Sequence, residues 1–115
     1  ISGFYTQKND LALLENQSQE IEIQRENFLF NQNFIEIQQR NDLEKIQNLI
    51  DKDNELIELR KNIKTASLAQ LENGVINTND YLREVTAEEQ AILTKITHEI
   101  QYLLTQYNLK AQLNN

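Results

Sequence analysis

His98, the sole histidine of the chain, stands beside Glu99. A histidine next to a carboxylate can bind a metal or move a proton only when further ligands or a nucleophile converge on it. No such partner sits at ligand spacing, so His98 reads as a solvated surface histidine on a helix. The carboxylates cluster more densely at Glu88 and Glu89 and at Asp51, Asp53 and Glu55. Successive helix positions point in different directions, however, so these read as a solvated face rather than a calcium site. Tyr102 and Tyr107 read as packing residues with a polar tip at an interface edge. Cysteine is absent, which removes disulfides and thiolate chemistry and leaves the redox compartment undetermined. With no Ser-His-Asp arrangement, phosphate loop or dinucleotide motif in view, the expectation is no enzyme, no cofactor and no metal.

The elements behind these residues are helices. Proline is absent and the two glycines are Gly3 and Gly74, so the one strong helix stop inside the chain lies at Leu71-Glu72-Asn73-Gly74-Val75-Ile76-Asn77-Thr78-Asn79-Asp80-Tyr81-Leu82. The fold expected is all-α, a long antiparallel helical hairpin or coiled coil within residues 1–115. Its first arm covers about residues 5–72, its tip turn residues 73–79 and its second arm about residues 80–113. At 1.5 Å per residue the arms would measure about 100 Å and about 52 Å, leaving residues before about 42 without an in-chain partner. Asn77, Thr78 and Asn79 are all plausible caps for the second arm, with Asp80 near the positive end of its dipole.

In the first arm Leu14, Ile21, Phe28 and Ile35, then Leu49, Leu56 and Ile63, follow a seven-residue repeat with Asp42 in the gap. Ile23, Phe30 and Ile37 keep step two positions later, about 200° around the helix, so this stretch presents apolar groups on two opposite sides. After Asp42 the pattern becomes one wider face of Ile46, Leu49, Ile50, Leu56, Ile57 and Ile63. The polar stretch Gln38-Gln39-Arg40-Asn41-Asp42 is the expected kink or locally disordered point. The second arm offers Leu82, Val85, Ile92, Ile96, Ile100, Leu103 and Tyr107. Folding the arms so that residue numbers sum to about 153 pairs Leu71 with Leu82, Leu68 with Val85, Ile57 with Ile96, Ile50 with Leu103, Ile46 with Tyr107 and Lys64 with Glu89. Buried aliphatics at roughly 1.5–3 kcal/mol each would hold such a hairpin.

A formal charge of −7 with scattered basic residues argues against nucleic acid. Charged residues make up 25% of the chain and aromatic residues 7%, which suits solvated helices with narrow buried stripes rather than a globular core. No apolar run approaches the ~20 residues of a membrane span. The opening Ile, with neither an initiating Met nor a signal peptide, reads as the edge of an excised or processed piece.

The turn segment Leu71 to Leu82, followed by an amphipathic helix ending Tyr102-Leu103-Leu104-Thr105-Gln106-Tyr107-Asn108-Leu109-Lys110, resembles the C-terminal helical hairpin of the TolC-like outer-membrane efflux proteins. The resemblance covers about residues 65–111. It implies the periplasmic part of an outer-membrane protein in a Gram-negative bacterium: a homotrimeric channel whose helices form a tunnel and whose hairpin tips face a periplasmic adaptor (membrane fusion) protein and an inner-membrane pump. On this resemblance Gly74, Val75, Ile76, Asn77 and Thr78 form the adaptor-docking tip, and Asp80 and Arg83 stand at the tunnel entrance. Arg83 replaces an acidic position of the family, and Leu71 and Ile76 replace two polar ones, which implies an apolar latch or packing in place of an ionic gate. The reading from a different class is an autonomous coiled-coil interaction or adaptor hairpin protein whose long arm dimerises.

Overall fold

The computed structural model describes residues 2–114; Ile1 and Asn115, at the ends of the expected domain, lie outside the described residues. Two helices are present, α1 (Ser2–Glu72) and α2 (Thr78–Leu113), and no strand occurs among the described residues. The all-α hairpin and its turn are therefore as the sequence reads. The expected break at Gln38 to Asp42 is not found, because α1 is helical throughout that stretch. Its residues are strong or neutral helix formers with no proline or glycine among them, so polarity alone does not interrupt the backbone hydrogen bonding. What changes there is tertiary: the chain divides into one unit up to Gln38 and a second from Gln39 onward.

The first unit is a single helix. Among the described residues, its large apolar side chains are exposed, from Ile35 at 41% to Phe30 at 70%. The two sets centred on Ile21, Phe28 and Ile35 and on Ile23, Phe30 and Ile37 lie on opposite sides of that helix.

The second unit is the hairpin. Along α1 covered positions run through Gln39, Leu43, Ile46, Ile50, Asp53, Ile57, Arg60, Lys64, Ser67 and Leu71, at alternating steps of four and three, with Ile63 half-covered beside them. Along α2 they run through Tyr81, Glu84, Glu88, Ala91, Lys95, His98, Tyr102, Thr105, Leu109 and Gln112, with the same alternation, and Asp80, Val85, Ala87 and Gln106 are half-covered beside them. This is the a/d seam of an antiparallel coiled coil. Its most covered apolar members are Ala91 and Leu109, and polar contacts cross between the helices: Asp53 Oδ2 meets His98 Nδ1, Lys64 Nζ lies 2.8 Å from Glu88 Oε2, and Arg60 Nη1 lies 3.9 Å from Glu84 Oε2. Ile50 and Tyr102 line a common groove beside Gln47, Glu99 and Leu103. The Asp53–His98 and Lys64–Glu88 contacts set opposing residue numbers to sum to 151 or 152.

The axial register thus falls within two residues of the expectation, and the expected Ile46, Ile50, Ile57, Ile63 and Leu71 of α1 and Val85 of α2 are covered, but most of the expected α2 face is not. Leu82, Ile96, Ile100, Leu103 and Tyr107, expected in the interface, are exposed, and so are Leu56 and Leu68. Lys64 meets Glu88 rather than Glu89. A one-residue shift along α2 turns the helix by about 100°, enough to bring Glu88, Lys95 and His98 into the seam in place of Ile96 and Leu103.

Where the apolar stripes go follows from helix geometry. On α1, Leu49, Leu56 and Leu59 each precede a seam position by one residue; on α2, Leu82, Ile92, Ile96 and Leu103 each follow one. In antiparallel helices a backward step on one and a forward step on the other turn in the same sense. The two stripes start from faces that look at each other, so they end on opposite flanks of the hairpin. Each flank carries one helix's apolar stripe beside the other helix's polar one. On the polar stripe of α2, Thr94 and Thr97 return their hydroxyls to the carbonyls of Gln90 and Leu93, at 2.9 and 3.0 Å, so neither needs water.

The hydrogen bond from Lys64 to Glu88, reinforced by the carboxylate charge, holds the ammonium above its ordinary value of 10.5. Because the folded value exceeds the unfolded one, this contribution to stability is complete below the unfolded value and is lost as pH rises through the raised folded value. Between about pH 9.5 and about pH 11.5 the thermal midpoint of the natural chain should therefore fall further than that of Lys64→Met. Circular-dichroism melts of the two chains check this, and parallel pH profiles would remove the pair from the account of the seam.

Candidate functional site

The tip is built by two capping devices set back to back. Gly74 has φ +75°, the left-handed region that suits glycine. Its N–H donates to the carbonyl of Leu71 at 3.1 Å, and the N–H of Val75 donates to that of Gln70 at 2.8 Å. This pair of bonds is a Schellman motif, which satisfies carbonyls that the end of α1 would leave open. A Cβ added at Gly74 would meet nothing within 4 Å, so backbone conformation rather than crowding requires the glycine.

Three residues later α2 begins. Asn77 is extended, its side chain accepts from the Asp80 N–H at 2.9 Å, and the Asp80 carboxylate accepts from the Asn77 N–H at 3.2 Å. This reciprocal capping box selects Asn77 among the three residues able to cap the helix. It also engages Asp80, half-buried, with the backbone of the turn. The acidic side chain expected at a tunnel entrance thus has a structural role, favoured by the positive end of the α2 dipole.

Between the two caps the chain presents an apolar apex. Val75 is 69% exposed and Ile76 half-covered, with Gly74, Asn77 and Thr78 exposed around them. Arg83 is exposed one turn into α2 and lines a shallow depression with Asn79, Leu82 and Thr86. Leu71 is half-covered at the last seam position of α1, opposite Tyr81. The structure therefore gathers Gly74 to Thr78 into one hydrogen-bonded loop, with Asp80 and Arg83 three residues apart on α2.

Two sequence-based readings change. His98 is not solvated: with Asp53 it lies inside the hairpin, and Asp53 is 8% exposed. The carboxylate group around Asp53 is accordingly not one uniform solvated face. The signal was present in the four-and-three spacing of Ile50, Asp53, Ile57, Arg60, Lys64, Ser67 and Leu71, which weighting by hydrophobicity obscures. Among the described residues no group of three His, Cys, Asp or Glu side chains could hold a metal. Nor, among them, is any helix long and apolar enough to cross a membrane. Comparison with protein-family models, with curated proteins and with solved structures yields no match.

Asn77→Ala removes one half of the capping box and should destabilise the hairpin by about 1 kcal/mol. Gly74→Ala, which must hold a left-handed backbone, should cost about 1–2 kcal/mol despite the open space around it. Urea titrations followed by helix content measure both. A neutral Gly74→Ala would mean that the turn can adopt another conformation.

Proposed function

We propose that this chain supplies a helical pair to the tunnel wall of a TolC-like outer-membrane efflux channel in the periplasm of a Gram-negative bacterium. In this reading the parent is a homotrimer, and the tip docks a periplasmic adaptor that couples it to an inner-membrane pump. The role is passive: the hairpin forms wall, and the tip dilates when the adaptor binds. The observation that carries the reading is the placement of exposed apolar stripes on opposite flanks of a hairpin whose own seam is already occupied by other apolar and polar side chains. A stave in a closed ring has a neighbour on each side, so it needs an apolar stripe on each side. A self-sufficient hairpin would bury Leu56 and Ile96 on each other, yet here they are 41% and 44% exposed.

The tip suits docking. Val75 offers an apolar contact at the apex, and the two caps hold its backbone in one conformation, which lowers the ordering cost of binding. Leu71 and Ile76 supply apolar packing where the resemblance implies polar gate residues, and Arg83 supplies a basic charge near the entrance.

Val75→Asp or Ile76→Asp, placed in the intact parent, should lower export several-fold while leaving helix content unchanged. Drug-efflux or secretion assays, read beside circular dichroism of the same variants, test this. Unaltered export with both substitutions present would sink the docking role of the tip.

A further inference from the structure

The hairpin carries two possible seams at one register. In the seam it uses, Asp53 faces His98 and Lys64 faces Glu88, among covered apolar positions that include Ile50, Ile57, Ala91 and Leu109. In the other, Leu49 would face Leu103, Leu56 would face Ile96, Leu59 would face Ile92 and Lys52 would face Glu99, again with numbers summing to 151 or 152. Reaching it requires no sliding. A swing of α2 by about a quarter turn around α1, without rotation about its own axis, brings the two apolar stripes together, changing the hand of the hairpin and moving Asp53 and His98, with Ile50 and Ile57, out of the seam.

We propose that the Asp53–His98 pair, supported by Lys64–Glu88, is a lock that selects the hand of the hairpin and so keeps its apolar stripes apart on opposite flanks. Asp53 and His98 occupy mid-seam positions among Ile50, Ile57 and Tyr102, and both are largely covered. A lone acid there would be buried without a partner; the matched pair is satisfied only when these two faces meet. The tip loop joins the helices at one end, some twenty residues from this pair along each of them, so a determinant far from the loop is needed to hold the faces along their length. A single polar residue within a coiled-coil seam selects one pairing over others in the same way. The inference concerns the isolated chain and stands or falls independently of what covers the flanks.

The natural absence of cysteine makes the test direct. Ile57→Cys with Lys95→Cys reports the observed seam, and Leu56→Cys with Ile96→Cys the alternative. Intrachain disulfide yield is measured in a glutathione buffer at dilute protein concentration. The first pair should close at least tenfold more than the second. Adding Asp53→Leu and His98→Leu should narrow that preference at least fivefold or reverse it, while the exchange Asp53→His with His98→Asp should retain it. Asp53→Asn alone, a milder change should the leucine chain fail to fold, should narrow it at least twofold. An unchanged preference in a helical Asp53→Asn or leucine chain would overturn the lock and assign the hand to the tip loop. Loss of the preference in the exchanged chain would overturn the claim that the pairing of these two side chains is the cause.

Discussion

The rest of this structure depends on one constraint: the two helices meet along a single heptad seam that sets the polar pairs Asp53–His98 and Lys64–Glu88 among apolar positions such as Ile50, Ile57, Ala91 and Leu109. An antiparallel pair has one contact line on each helix, and whatever lies on it determines what lies on the flanks. Once Asp53, Arg60, Lys64 and Ser67 of α1 face Glu84, Glu88, Lys95 and His98 of α2, the leucines and isoleucines one residue away must point outward. The polar positions of that seam add little to the hairpin's own stability. Exposed or half-exposed ion pairs contribute about 0–1 kcal/mol each, whereas a fully buried Leu or Ile contributes roughly 1.5–3 kcal/mol. Lys64 and Glu88 thus hold seam positions at which apolar side chains would bind more strongly. Sequences keep such arrangements where specificity matters more than the strength of a single pairing.

The tip follows a different logic. There the backbone, not the side chains, is the design element. A Schellman motif and a capping box lie within a dozen residues, and together they satisfy the ends of both helices without help from the seam. The loop is consequently defined by local bonds alone, and its side chains are left free of structural duty except at Asn77 and Asp80. That division explains how an apolar residue such as Val75 can stand at the apex without loosening the turn.

Much of this was legible in the sequence. The absence of proline and the position of Gly74 located the reversal, and the tip residues lie where the turn chemistry puts them. Seven-residue periodicity gave the register to within two residues. What sequence reading missed was the rotational setting. An apolar stripe and a polar stripe one residue apart share the same period, and hydrophobicity points to the apolar one as the interface. That rule assumes a helix pair that buries its own surface. It fails at Ile96, Leu103 and Tyr107 because these are not facing α1, and it fails at His98 because a lone imidazole reads as surface until the acid opposite it is found. Asp53 and His98 are 45 residues apart in sequence, so only the folded register brings them together.

The helix up to Gln38 extends the same reasoning. Ile21 with Phe28 and Ile23 with Phe30 lie on opposite sides of one helix that has no second helix in its unit. A dimer through one side would cover one stripe and leave the other in water, where each exposed Phe or Ile forfeits its share of burial energy. Two neighbours, one on each side, cover both. The hairpin unit reaches the same requirement by another route, with its two stripes on two different helices. Two units of one chain, patterned differently, thus each call for contact on both flanks. A neighbour on each side meets that requirement, whereas a single partner on one side covers only half of it.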